Sequence, residues 1–121
     1  MSKVKTRIVI IKDPINGNQG IPSLKARVMA QFDPKPGEKL LVVFFTKNRK
    51  RCKVLQLDAT GVTLAVRMLY TGSFLFTGDE EVRDINILDL RRLLFDGTIF
   101  GSAWQNPLAE VSFDENDELS F

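Results

Sequence analysis

The sequence predicts a single α+β domain, in which an antiparallel β-meander sheet is covered by two short helices. The length of 121 residues suits one domain, since small domains usually run from ~100 to ~150 residues. Hydrophobic residues make up 44% and charged residues 26% of the chain, which is a globular composition. The middle of the chain consists of short runs that are apolar or alternate between apolar and polar residues. On either side of it lies a segment whose apolar residues recur at helical spacing. We assign residues 1–121 to this one domain.

The first part of the chain predicts a strand, a loop and a helix. Arg7–Lys12 is rich in β-branched residues and indicates a short strand, and turn-forming residues follow over 13–20. Pro22 suits the first turn of a helix. The turn formers at 33–37 are expected to end that helix, so we predict it over 22–32. Its expected apolar face consists of Leu24, Val28, Met29 and Phe32.

The middle of the chain predicts the meander. Residues 39–46 are almost all apolar, which is typical of a strand buried on both faces. Return strands are predicted over 52–58 and 62–69, with a turn between them. In the last of these, Val62, Leu64, Val66 and Met68 are expected on one face. A further short strand is predicted over 73–76.

The last third of the chain is acidic. We expect a polar loop over 77–84 and a helix over 87–96, capped by Asn86 and stopped by Gly97. The apolar face of this helix would hold Ile87, Leu90 and Leu94. Residues 101–121 are expected to form either a peripheral acidic hairpin or an acidic tail.

The composition excludes several chemistries. The chain has no histidine, so it has no Ser-His-Asp or Cys-His arrangement and no histidine metal ligand. Cys52 is the one cysteine, which excludes an intrachain disulfide and a multi-cysteine metal site. We expect Cys52 to be a structural thiol. Phosphate-loop, dinucleotide and paired-carboxylate motifs are absent too. We therefore predict a non-enzymatic protein, with no catalytic residues, metal or cofactor.

The sequence also predicts a cytoplasmic protein that does not associate with membranes. The longest apolar run, Leu40–Phe45, has six residues, whereas a membrane-spanning helix needs ~20. A single cysteine is compatible with a reducing compartment.

The charges are divided unevenly along the chain. Residues 1–70 hold fourteen basic and four acidic side chains, a net charge of +10. Residues 71–121 hold three basic and eleven acidic side chains, a net charge of −8. This asymmetry predicts a basic binding face and an acidic segment.

The densest basic cluster spans residues 47–53, with five positive charges and no acid. One interpretation is a solvated turn that keeps the neighbouring apolar strand from aggregating. The other is an interface for nucleic-acid phosphates, although the cluster contains no aromatic residue of the kind that stacks on single strands. In the second interpretation the nucleic-acid-binding residues are Lys47, Arg49, Lys50, Arg51 and Lys53, with Arg67 extending the patch.

Two stretches, Phe44–Asp58 and Gly61–Phe74, resemble the TnpB-type accessory proteins of the insertion-sequence sixty-six group of bacterial transposable elements. The segment at 87–97 is similar to the closing helix of that family, and the resemblance covers about residues 8–100. Leu57 stands where the family has tryptophan, and Met68 where it has arginine. The matching positions are Lys47, Arg49, Arg51, Lys53, Asp58, Gly61, Arg67, Leu69, Gly72 and Phe74.

The resemblance implies a non-enzymatic accessory factor that acts beside a separate transposase. The expected partners are DNA or RNA, and a transposase or another nucleic-acid enzyme. An alternative remains open, in which the protein is an interaction module or DNA mimic. Its acidic C-terminal half, including Asp114–Glu118, would then dock on a basic nucleic-acid enzyme.

Overall fold

A computed structural model describes residues 5–75 and 80–96. The predicted α+β class is confirmed by a five-stranded sheet and two helices. The predictions for Gly97 and for residues 101–121 fall outside the described residues. The elements in chain order are β1 (Thr6–Ile15), α1 (Ile21–Phe32), β2 (Lys39–Thr46), β3 (Arg51–Leu57), β4 (Val62–Met68), β5 (Val82–Ile85) and α2 (Ile87–Asp96).

The sheet has the strand order β4-β3-β2-β1-β5 and is mostly antiparallel. The predicted meander of β2, β3 and β4 is confirmed, with Val54 paired to both Val43 and Ala65. β1 lies parallel to β2, because the intervening helix α1 returns the chain to the end of the sheet where β1 began. The sheet is therefore mixed, and the cleft described below lies where β1 and β2 end.

Two local predictions are wrong. The expected loop over 77–84 contains the start of β5, whose residues pair antiparallel with β1 from Ile8 to Ile11. The unpaired edge of β1 offers backbone hydrogen bonds that outweigh the polar composition of this segment. The expected strand over 73–76 is not formed in its described part, where Leu75 makes an isolated bridge. Phe74 instead buries its ring 5.8 Å from that of Phe45.

Strand β2 is buried on both faces, as predicted, and separates two apolar cores. Its alternate residues Leu41, Val43 and Phe45 pack with Leu90 and Leu93 of α2. The residues between them, Leu40, Val42 and Phe44, pack with Leu24 and Val28 of α1. The two helices therefore cover opposite faces of the sheet.

Both ends of α1 and the start of α2 follow the sequence signals, but one residue expected on the apolar face of α1 is exposed. Pro22 lies in the first turn of α1, and Asp33 ends it in the left-handed region with φ 44°. The predicted cap of α2 is confirmed, since Asn86 Oδ1 accepts a hydrogen bond from the Asp89 N–H at 2.8 Å. The expected burial of Met29 is wrong, because its side chain is 42% exposed.

The turn between β3 and β4 depends on one carboxylate. Asp58 Oδ1 accepts hydrogen bonds from the Thr60 N–H at 2.8 Å, the Thr60 hydroxyl at 2.9 Å and the Gly61 N–H at 3.0 Å. These bonds lower the pKa of Asp58 from 3.8 to about 2, and the bond from the Thr60 N–H has the largest effect.

We expect NMR titration to give Asp58 a pKa of about 2. Because the folded-state pKa lies below the ordinary value, the charged carboxylate stabilises the fold above about pH 4, and this contribution is lost as the pH falls through about 2. The Asp58→Asn variant keeps an acceptor oxygen without the titration, so its melting temperature should fall less steeply across that interval. A measured pKa near 3.8 would contradict the hydrogen-bonded turn.

Candidate nucleic-acid interface

Residues 47–51, which are the turn between β2 and β3 and the first residue of β3, carry four of the predicted basic residues, and we call them the basic turn. Its shape is set by hydrogen bonds of Thr46 and Asn48. The Thr46 carbonyl accepts from the Arg49 N–H at 2.8 Å, and the Thr46 hydroxyl accepts from the Arg51 N–H at 3.3 Å. Asn48 Oδ1 accepts from the Lys50 N–H at 3.0 Å. The cationic side chains therefore project from an ordered backbone.

A second segment, residues 69–74, braces the basic turn from the end of β4. The Leu69 N–H donates to the Lys50 carbonyl at 3.0 Å, and the Phe74 N–H donates to the Arg49 carbonyl at 2.7 Å. Gly72 adopts φ 75°, a conformation that side chains disfavour, and lets the segment turn back between these two bonds. We call residues 69–74 the bracing segment.

Arg49 itself adopts the left-handed conformation, with φ 58°. This conformation is unfavourable for residues other than glycine, and the two hydrogen bonds of its N–H and carbonyl hold it in place. The Arg49 side chain is half-buried, whereas Lys47, Lys50 and Arg51 are exposed.

An open cleft of about 690 Å³ lies between the basic turn, the loop after β1 and the end of β4. Three of its lining residues are cations and none is an acid. Within the described ranges, none of these three cations forms an ion pair. The lining residues are Ile15, Asn16, Gly17, Thr46, Lys47, Asn48, Lys50, Arg51, Met68, Leu69 and Tyr70.

Lys53 lies apart from this group and has structural contacts. Its side chain is 6% exposed, and its ammonium donates to the Gly17 carbonyl at 2.7 Å and the Gln19 carbonyl at 2.6 Å. It thereby holds the loop after β1 against β3. These contacts leave Lys53 outside the cleft surface.

The side chain of Arg67 lies on the face of the sheet that α2 covers. Its Nε donates to the Leu94 carbonyl at 3.1 Å, and its guanidinium stands 5.2 Å from the centroid of the Phe95 ring. It pairs in register with Cys52, whose side chain lies in the core on that face. The structure therefore brings together four of the six predicted binding residues, and it separates Lys53 and Arg67 from them.

Sequence reasoning missed the apolar part of the cleft, above all Tyr70 and Met68. These residues lie about twenty positions after the basic turn, so a search for aromatics inside the cluster does not find them. The antiparallel register was the available signal, because it places Met68 opposite Arg51.

The described ranges contain neither a metal-binding cluster nor a helix that could span a membrane. Residues 5–75 and 80–96 hold no group of three or more His, Cys, Asp or Glu side chains able to bind a metal ion. Neither α1 nor α2 is long and apolar enough to cross a membrane.

These features define a small α+β protein with a cationic cleft at one end of its sheet. A family model described as IS66 Orf2-like protein matches residues 6–105. The chain therefore belongs to the IS66 Orf2-like family, in agreement with the resemblance of its turn and strand motifs. Proteins of this family have an accessory role in transposition and are not its catalysts. No curated protein and no solved structure matches the chain.

The contacts of Lys53 predict a stability effect. Replacement by Met keeps the length of the side chain but leaves two backbone carbonyls without their donor, so Lys53→Met should cost about 1–3 kcal/mol in the free energy of unfolding. Urea denaturation measures this. The matched control, Lys50→Met on an exposed side chain, should change it by no more than about 0.5 kcal/mol. Equal stability of the two variants would show that Lys53 has no structural role.

Burial determines the reactivity of Cys52. The thiol is fully buried, and desolvation raises its pKa to about 12, so the neighbouring basic residues do not activate it. We expect iodoacetamide to leave Cys52 unmodified in the native protein at about pH 8 and to alkylate it fully in urea, as measured by mass spectrometry. Rapid labelling of the native protein would contradict this burial.

Proposed function

We propose that this protein is a DNA-binding accessory factor of a bacterial mobile element and that its basic turn contacts DNA phosphates. The observation that carries the proposal is the convergence of Lys47, Lys50 and Arg51 on one open cleft with no acidic lining residue. Like charges so close together repel one another. A polyanion would relieve this repulsion and would release its own condensed counterions.

The geometry favours contact with the sugar-phosphate backbone over base readout from a groove. The basic turn is tied to the bracing segment, so it does not project as a free two-stranded ribbon that could enter a major groove. Arg51 can bind a phosphate with two parallel hydrogen bonds, whereas Lys47 and Lys50 act as point charges. Such contacts position a protein on a nucleic acid without specifying sequence.

In this proposal the protein acts in the cytoplasm beside a transposase, or another nucleic-acid enzyme, that cuts and joins the DNA. The accessory role of the family supports the association with transposition. The described residues supply a cationic cleft, and in this proposal the partner supplies the chemistry.

A salt titration tests the proposal. Replacing Lys47, Lys50 and Arg51 together by Gln should weaken duplex DNA binding, and the slope of log affinity against log salt should become shallower by about 0.9 for each phosphate that the variant leaves unneutralised. Three such phosphates correspond to a change of about 2.7. Arg49 is left unchanged because its backbone conformation shapes the turn. Fluorescence anisotropy at several salt concentrations gives both quantities.

The matched control replaces Lys5, Lys25 and Lys35 by Gln, which removes the same charge from exposed lysines outside the cleft. This control should keep most of the parent slope. An equal loss of affinity in both variants would mean that net charge, and not the basic turn, drives binding. Unchanged binding by the basic-turn variant would overturn the proposal and favour docking through the acidic half, which charge reversal at Asp114–Glu118 would then test.

A further inference from the structure

Tyr70 is an aromatic side chain left almost wholly in solvent. It is 98% exposed, although it lines the same cleft as the three cations of the basic turn. Met68, which also lines the cleft, is 51% exposed. An aromatic ring gains free energy when it is covered, so one exposed beside a cationic cleft is suited to a ligand with both an anionic and a flat apolar part.

The position of Tyr70 relative to the cations is fixed by the backbone. The residue before it, Leu69, donates its N–H to the carbonyl of Lys50. Four residues after it, Phe74 donates to the carbonyl of Arg49 and is anchored by its buried side chain. Tyr70 therefore belongs to a segment bonded at both sides to the residues that carry the positive charges, and it cannot drift from them without breaking those bonds.

Nucleic acids supply the required combination of groups only where their bases are unpaired. In a duplex, both faces of a base are covered by its neighbours, and a side chain at the surface reaches mainly phosphates and sugars. In a single strand, a base can turn toward an aromatic ring while the adjoining phosphates bind lysine and arginine. The open cleft of about 690 Å³ has room for a nucleotide unit, whereas a duplex can contact only the exposed cations around it.

We propose that the cleft binds a single-stranded segment of nucleic acid, with the Tyr70 ring stacked on an unpaired base and Lys47, Lys50 and Arg51 on the flanking phosphates. This inference rests on the proposed function and adds the preferred form of the ligand. Tyr70 supplies the preference for single strands over duplexes, and the basic turn supplies the salt-dependent affinity.

Affinity measurements with Tyr70 variants test the inference. For an oligothymidine, Tyr70→Ala should weaken binding by about 5- to 150-fold, which corresponds to the loss of one stacked base. Tyr70→Phe should bind like the parent, because it keeps the ring. The salt slope should be the same in all three proteins, since no cation is removed, and duplex affinity should not change. Tyr70→Leu, which is apolar but not aromatic, should lose most of the preference for single strands over duplexes.

The ligand offers a matched control as well. An abasic oligonucleotide of the same length keeps the phosphates and lacks the bases, so the parent should bind it about as weakly as Tyr70→Ala binds oligothymidine. Oligouridine in a parallel arm distinguishes RNA from DNA as the source of the strand. If Tyr70→Ala binds oligothymidine as tightly as the parent, while the basic turn remains necessary for duplex binding, stacking is wrong and the proposed function stands. If the parent binds neither nucleic acid, both proposals are wrong.

A spectroscopic test observes the ring directly. Tyr70 is the one tyrosine of the chain, so incorporation of 3-fluorotyrosine labels this position alone. Its ¹⁹F resonance should shift on addition of oligothymidine and should stay in place on addition of the abasic oligonucleotide. A shift of the same size with both ligands would show that the ring senses phosphate binding without stacking.

Discussion

The burial of β2 on both faces is the constraint on which the rest of the structure depends. Its side chains point alternately into two separate cores, so each face of the sheet needs its own helix. The parallel pairing with β1 follows from this arrangement, because the chain crosses one face as α1 before it returns as β2. The end of β1 and the end of β2 then meet at the same edge of the sheet. The basic turn follows β2 directly, and this places its cations beside the loop that follows β1.

Backbone hydrogen bonds and the buried Lys53 hold the residues around the cleft in place, and contacts among the cations do not. The bracing segment fixes the basic turn from one side through Leu69 and Phe74. On the other side, Lys53 holds the loop after β1 through the Gly17 and Gln19 carbonyls. The exposed cations can therefore repel one another without unfolding the turn. In the proposed function, this order would save the entropy of arranging the site on binding.

The sequence predicted local structure well and the positions of distant residues poorly. The meander, both helices and the Asn86 cap could be derived, because they depend on periodicity and on local hydrogen bonds. β5 could not, because its pairing depends on the free edge of β1, far away in the chain. For the same reason, the pattern could not show that Lys53, in the basic cluster, and Arg67, predicted on the neighbouring strand, donate to backbone carbonyls elsewhere. Tyr70 was missed because a fold was needed to bring it to the cluster.

The most direct test of the account is a ¹⁵N NMR titration of the whole chain with a short single-stranded oligonucleotide. Amide resonances should shift together in the basic turn and in the bracing segment, because hydrogen bonds join these two segments. Resonances near Asp58 and Thr60, in the turn at the other end of β3, should remain in place. Shifts confined to the acidic C-terminal residues, or shifts in the basic turn without any in the bracing segment, would contradict a single binding surface built from both.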